Sequence, residues 1–265
     1  MRIVICAKEV LDPDAVDNYV LVGKLEIGSD GKTLTQTSIP RLMNRYDEQA
    51  IECALRLRDA GVDCKIHVVS LGSDPTKILQ HAVAMGADEV ATIPVDSGTV
   101  DGYATAALLA GFVKSLGGAD LVLCGRQASD GDQGVVPALL GEMLGLPIVT
   151  IARAVELVDG KLRVTRVTPD GDEIVEVACP AVITISNEFG EPRYPTGIRT
   201  MKARKIKPQQ ITPAGLALGE SARPRVTMTR QFVEPIIGRC EVIPGDSAAA
   251  ALELVTRLRA ERTIE

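Results

Sequence analysis

The 265-residue chain is 46% hydrophobic and 24% charged, which excludes disorder and allows one large core or two modest ones. Four Tyr, three Phe and no Trp leave that core to Val, Ile, Leu and Ala. Twenty-nine basic against 35 acidic side chains give a formal charge of −6, which argues against a generally basic nucleic-acid surface.

Residues 2–7 read as a short buried strand, and 19–37 as a hairpin around the turn Ser29-Asp30-Gly31. Asn44 can cap a helix over 45–59, with Ala50, Ile51, Ala54, Leu55 and Leu57 on its apolar face and Gly61 as its stop. A second strand is expected at 64–71. Asp74-Pro75 opens a helix that ends near Gly86. A strand at 88–93, a helix at 101–116 and a strand at 120–124 follow. The loop GRQASDGDQG then leads into a helix ending at Leu144-Gly145, and 148–152 adds a strand. This alternation predicts an α/β fold, a mostly parallel sheet with helices on both faces.

After 153 the rhythm changes. Residues 153–168 and 173–185 alternate like antiparallel strands around Pro169-Asp170-Gly171. Residues 208–245 hold five prolines and no long periodic element. Their apolar side chains (Val226, Met228, Phe232, Val233, Ile236, Ile237, Val242, Ile243) favour an arm ordered against another subunit over an idle tail. Residues 247–261 read as a helix. The expected domains are therefore 1–207, which includes the 19–37 hairpin, and a C-terminal arm and helix over 208–265.

No apolar run approaches the roughly 18 residues of a membrane helix, so no span is expected. The N-terminus turns polar at Lys8, too early for a secretion signal. The Cys residues (6, 53, 64, 124, 179, 240) are dispersed with no CxxC, as expected of buried thiols in a reducing cytoplasm. A metal centre wants clustered ligands, and His67 and His81 are the only histidines. Both read as histidines of the fold, His67 on the strand face opposite Ile66 and Val68.

In such sheets ligands bind beyond the carboxyl ends of the strands. That selects Ala7-Lys8, Ser70-Leu71-Gly72 and Gly125 through Gly134. The last joins a strand to a helix, so its backbone N–H groups can cradle a phosphate, helped by Ser129 and Gln133. Asp130 and Asp132 repel a naked phosphate, and the alternative is a tight acidic turn that caps the helix. Neither GxGxxG nor GxxxxGK[ST] is present. No catalytic constellation stands out, so redox chemistry would have to come from a cofactor. The basic cluster Arg199, Lys202, Arg204, Lys205, Lys207 is a solvated face or steers an acidic partner protein, with nucleic acid the weakest reading.

Long stretches resemble the beta subunit of electron transfer flavoprotein. The opening IVICAKEVLDPDA is similar to the family's first strand and loop. NRYDEQAIECALRLRD, HAVAMGADE, DLVLCGRQASDGD and CPAVITISNEFGEPRYPTGIRTMKARK match its later blocks. The resemblance implies a Rossmann-like, adenine-nucleotide-binding fold and a heterodimer with an alpha subunit that holds FAD. This chain would bind AMP, or a second FAD in electron-bifurcating members. The implied pocket comprises Ala7, Asn44, Ser70, Gly125, Asp130, Asp132, Gln133, Gly134, Val135 and Val136. It also implies a flavin-proximal carboxylate at Glu173. A recognition loop over about 190–203 (Pro195, Gly197, Ile198, Met201) would dock a dehydrogenase of acyl-CoA type. Two departures stand out: position 135 is Val where the family uses a polar residue, and Gly197-Ile198 stands where many members anchor with Leu. The rival expectation is a non-redox, universal-stress-like nucleotide-binding module that forms a homodimer.

Overall fold

The computed structural model describes residues 1–96, 98–233 and 241–264. The chain divides into two compact units, Met1–Gln231 and Phe232–Glu265.

The first unit opens with β1 (Arg2–Cys6), whose unbroken apolar run suits a strand covered on both faces. There follow β2 (Glu9–Leu11), α1 (Pro13–Leu21), β3 (Arg41–Met43), α2 (Arg45–Asp59), β4 (Lys65–Gly72), α3 (Thr76–Met85), β5 (Glu89–Pro94), α4 (Gly102–Ser115), β6 (Leu121–Gly125) and α5 (Val135–Leu144). The later part holds β7 (Ile148–Val158), β8 (Lys161–Thr168), β9 (Gly171–Ala178), β10 (Ala181–Ile185), α6 (Gly197–Ala203) and β11 (Gln209–Gln210). Among the described residues the main sheet has nine strands in the order β11-β5-β4-β1-β6-β10-β7-β8-β9. All pairings are parallel except β7–β8 and β8–β9.

Side-chain alternation along β1 divides the core in two. Ile3 and Ile5 pack with Ile51, Ala54 and Leu55 of α2 and Leu79 and Ala82 of α3. Val4 and Cys6 face Leu108 and Phe112 of α4 and Leu140 of α5. After β1 the chain builds outward to β4 and β5, then returns to place β6 on the other side of β1. Strand order thus reverses between β1 and β6, where a crevice opens beyond their carboxyl ends.

Three expectations need correction. The hairpin expected over 19–37 is a helix as far as Leu21, followed by a single antiparallel bridge between Ile27 and Leu34. Asp12 accepts hydrogen bonds from Asp14 N (3.1 Å) and Ala15 N (3.5 Å), and Pro13 sits in the first turn. These start signals outweigh the alternation of Tyr19 to Val22. Next, β7 runs unbroken from 148 to 158 and turns at Asp159-Gly160 into β8, so 153–168 is not one strand. Finally, 181–185 is not part of the antiparallel pair. It is β10, fully buried and parallel to both β6 and β7. Its continuous apolar composition is that of a central parallel strand.

The start of the expected arm packs on the chain's own sheet. Gln209 and Gln210 extend the edge at β5, and Leu216 and Leu218 lie against Gly111 of α4. Asp101, the N-cap of α4, accepts from Ala104 N (2.8 Å), Arg225 N (2.6 Å) and Val226 N (2.8 Å). Asp101→Ala is therefore expected to cost about 1 kcal/mol as a lost cap. It should also speed amide exchange at Arg225 and Val226 at least ~10-fold, since both lose their acceptor. Unchanged exchange there would disprove the tether. Ile236, Ile237 and Cys240 of the expected arm lie outside the described residues.

In the second unit, α7 (Ser247–Ala260) is capped by Asp246, which accepts from Ala249 N at 2.8 Å. Arg257 pairs with Glu253 and Glu241. No residue of α7 is buried, and Leu252, Leu254 and Val255 are exposed.

Candidate functional site

The crevice between β1 and β6 is built from four chain segments. Ala7, just past β1, donates its N–H to Val69 O (2.9 Å), which sets it beside Ser70 of β4. Asn44, buried ahead of α2, donates from Nδ2 to Gln127 O (2.8 Å) and accepts from Ser129 N (3.4 Å). It thereby ties the start of α2 to the loop after β6. Gly125 ends β6 under the first turn of α2. A Cβ there would lie 2.4 Å from Asp47 Oδ1 and 2.6 Å from Tyr46 Cβ, so only glycine admits this approach.

Most pocket residues expected from the sequence converge here. Asp130 pairs with Lys8 Nζ at 2.7 Å across the crevice mouth. Asp132, in the left-handed region at φ 48°, accepts from Gln127 Nε2 at 2.8 Å. Gln133 is exposed. Gly134, also left-handed (φ 61°), is the N-cap of α5 and provides no side-chain cap. No acid stands in the first turn of α5, so its free N–H groups keep their affinity for an anion. Val135 is partly exposed and packs on Gly102 at the start of α4, while Val136 joins the core. Ser70 is fully buried, and its hydroxyl has no hydrogen-bond partner among the described residues. A buried orphan of this kind suits a ligand donor or acceptor at the carboxyl end of β4.

The sequence reading missed Asp47. This buried carboxylate accepts from Lys8 N (2.8 Å) with Oδ2 and from Gly125 N (3.0 Å) with Oδ1. Burial pushes its pKa up to about 7, against the opposing pull of those hydrogen bonds and of Asn44.

Behind the loop, a cleft of about 240 Å³ lies between α5, β7 and β10, lined by Arg126, Gly134, Thr150, Ile151 and Thr184. Ile151 has φ 59° where β7 bulges against β10, and its N–H is held by Thr184 Oγ1 at 2.8 Å.

Glu173 is not part of the crevice. It lies on β9, four strands beyond β6, or roughly 19 Å at ordinary strand spacing. There it pairs with Arg166 at 2.8 Å.

The segment 187–203 forms a second locus. A polar row on α2 (Gln49, Glu52, Arg56, Asp59) holds it. Gln49 Nε2 donates to Asn187 O (3.2 Å) and Gly190 O (3.1 Å), and Arg56 Nη1 donates to Phe189 O (3.1 Å). Buried Glu52 accepts from Arg193 N (3.1 Å) and Nε (2.8 Å) and from Arg56 Nε (3.0 Å), and Arg193 also reaches Asp59 (2.7 Å). Burial pushes the Glu52 carboxyl up, but Arg193 and Arg56 outweigh it and hold it below its ordinary range. Beyond this anchor, Tyr194 is 94% exposed, Ile198 70% and Met201 69%, so three large apolar side chains face solvent together on one short stretch. Pro195 is buried, and Gly197 opens α6 behind the Thr196 cap. Tyr194 was not singled out in the sequence reading, and Arg193-Tyr194 beside a Pro was its available clue.

His67 packs under α4, with Nδ1 3.1 Å from Glu89, and His81 pairs with Glu48 at 2.8 Å. Among the described residues no group of three His, Cys, Asp or Glu could hold a metal, and no helix is long and apolar enough to cross a membrane.

Residues 32–215 match the family model of the electron transfer flavoprotein domain. The chain belongs to the electron transfer flavoprotein family. It is 32% identical to the caffeyl-CoA reductase-Etf complex subunit CarD of Acetobacterium woodii over 272 aligned positions, covering all of both chains. It is 36% identical to the electron transfer flavoprotein subunit beta of Syntrophomonas wolfei, over 83% of this chain and 82% of that one. It is 34% identical to the acryloyl-CoA reductase electron transfer subunit gamma of Anaerotignum propionicum, over 74% and 72%. The chain is thus a beta-type electron transfer flavoprotein subunit, a component of electron transport. In this flavoprotein subunit the two loci described above share one helix, α2.

Proposed function

We propose that this subunit binds an adenine nucleotide in the β1–β6 crevice, pairs with an alpha subunit that holds FAD, and docks an acyl-CoA-type dehydrogenase through 190–203. The proposed setting is the cytoplasm. The observation that carries the nucleotide reading is the crevice itself: a switch-point cleft with an uncapped helix N-terminus on one side and the orphan Ser70 hydroxyl on the other. The phosphate would rest on the N–H groups of Val135 and Val136, with Gly134 leaving room for it. Asn44 and Gly125 would hold the loop in place, and Ser70 and Ala7 would meet the base side. The polar contact that Val135 lacks falls to backbone N–H groups. When bound, the alpha-subunit flavin supplies one- and two-electron redox chemistry. Glu173 on the far strands is the carboxylate proposed to approach it.

Docking rests on the exposed trio Tyr194, Ile198 and Met201, set rigidly by α2, with the basic residues around α6 steering an acidic partner. Ile198→Asp is expected to slow electron exchange with the dehydrogenase at least ~10-fold while nucleotide content and heterodimer stay intact. Loss of nucleotide in that variant would refute the separation of roles.

The test of the whole reading is to co-express the chain with its alpha-type partner, denature the complex and quantify FAD and AMP. One of each means a structural nucleotide in this chain. Two FAD mean that the crevice holds a redox-active flavin, the arrangement needed for electron bifurcation. A homodimer without flavin would return the reading to a universal-stress-like module.

A further inference from the structure

We infer that Asp47 is a positioning residue that locks the loops after β1 and β6 into one unit and so sets the nucleotide affinity of the crevice. The inference rests on the nucleotide reading above. Asp47 spends both carboxylate oxygens on backbone N–H groups from two distant segments, Lys8 at 39 residues' separation and Gly125 at 78. These segments follow the two strands that flank the switch point, so the carboxylate bridges the floor of the crevice. Among the described residues no other buried side chain bonds to both of these loops. The Lys8–Asp130 pair spans the same gap, but both partners are exposed, and such a pair contributes little. A buried carboxylate with two N–H donors loses far more when one is taken away. Asn44 completes the arrangement by tying the same helix start to Gln127 and Ser129.

The groups around Asp47 are few. Lys8 faces it from the β1 side, itself paired to Asp130. Cys124 lies beside it on β6, and its hydrogen bond with the Cys6 thiol of β1, followed by burial, holds its own thiol well above the ordinary range. Arg126 reaches the neighbouring Tyr46 ring, 5.6 Å from its centroid. Lys8 favours the ionised carboxylate, but burial dominates and brings titration into the neutral range. Protonation turns one accepting oxygen into a hydroxyl and weakens one of the two bridges. Both amides should therefore report one and the same protonation event as pH falls through about 7.

The experiment uses the full chain, alone and co-expressed with its alpha-type partner. The backbone N–H resonances of Lys8 and Gly125 are followed from pH 5 to 9, and AMP and FAD affinities are measured for the wild type, Asp47→Asn and Asp47→Glu. Expected are a shared titration midpoint at both amides, its disappearance in Asp47→Asn, and at least ~10-fold weaker nucleotide binding in that variant with part of the loss restored by Glu. The wild-type titration needs no variant to fold. Amides that do not titrate together, or an Asp47→Asn protein that binds as tightly as wild type, overturn the inference and leave the nucleotide reading standing. A wild type that binds neither AMP nor FAD overturns the nucleotide reading, and the affinity role of Asp47 falls with it.

Discussion

Gly125→Ala is expected to remove nucleotide binding and to lower the melting temperature by several degrees. The added Cβ meets Asp47 Oδ1 at 2.4 Å, Tyr46 Cβ at 2.6 Å and Asn44 Nδ2 at 3.1 Å. All three belong to the start of α2, so they cannot yield separately. Either the helix start withdraws as a body or β6 bends. In both cases the Gly125 N–H leaves Asp47 and the Asn44 tie to Gln127 stretches. Overpacking of this kind costs about 1–3 kcal/mol, and a chain of this size melts roughly 2–4 °C lower for each of those. Calorimetry and equilibrium dialysis with AMP and FAD give the two readouts. A protein that melts and binds as before would show that the helix start gives way freely.

Glu52→Ala should produce the complementary phenotype. Removing the carboxylate strips Arg193 of three hydrogen bonds, from N, Nε and Nη2, and Arg56 of its i−4 partner. Breaking a buried pair costs about 3–5 kcal/mol when the surviving charge stays buried. Arg193 is one-third exposed and keeps Asp59, so about 2 kcal/mol is the better expectation. Residues 187–196 should become open to limited proteolysis, and electron exchange with the dehydrogenase should fall while nucleotide stays bound. Since the folded Glu52 carboxyl titrates below its ordinary value, its contribution is present at neutral pH and is lost only as pH falls below that ordinary range. Proteolysis of the wild type should accordingly rise in acid. Resistance of the variant at pH 7 would contradict the anchoring role.

The part of the fold read most directly from sequence was the run from α2 to α5. Helices 45–59, 76–85, 102–115 and 135–144 have clear apolar faces, and Gly61, Gly86 and Gly145 punctuate three of them. The position of the loop from Gly125 to Gly134 was legible for the same reason, since a Gly-rich segment between a buried strand and a helix is a local pattern. What stayed hidden depended on distant chain. The alternating residues 19–22 resemble a strand until Asp12 and Pro13 are seen to start a helix. Ala181–Ile185 follows an antiparallel pair in sequence, yet its neighbours β6 and β7 are parallel strands brought beside it by the fold. Asp47 looks like an ordinary acid in a first helical turn, and Glu52 like part of a solvated charged face. Their roles exist only once Lys8, Gly125 and Arg193 arrive.

The placement of both loci on α2 has a consequence for how this sequence can change over evolutionary time. From Asp47 to Asp59 the helix covers about 18 Å at 1.5 Å per residue. Inserting one residue anywhere in between would swing everything downstream by about 100°. Whichever of Gln49, Glu52, Arg56 and Asp59 follow the insertion would then point away from the segment they hold, even if every side chain were kept. Substitutions at the other positions of α2 can be tolerated one at a time, but its length cannot vary. The helix acts as a ruler, and lineages of this family should show sequence drift across α2 without gaps.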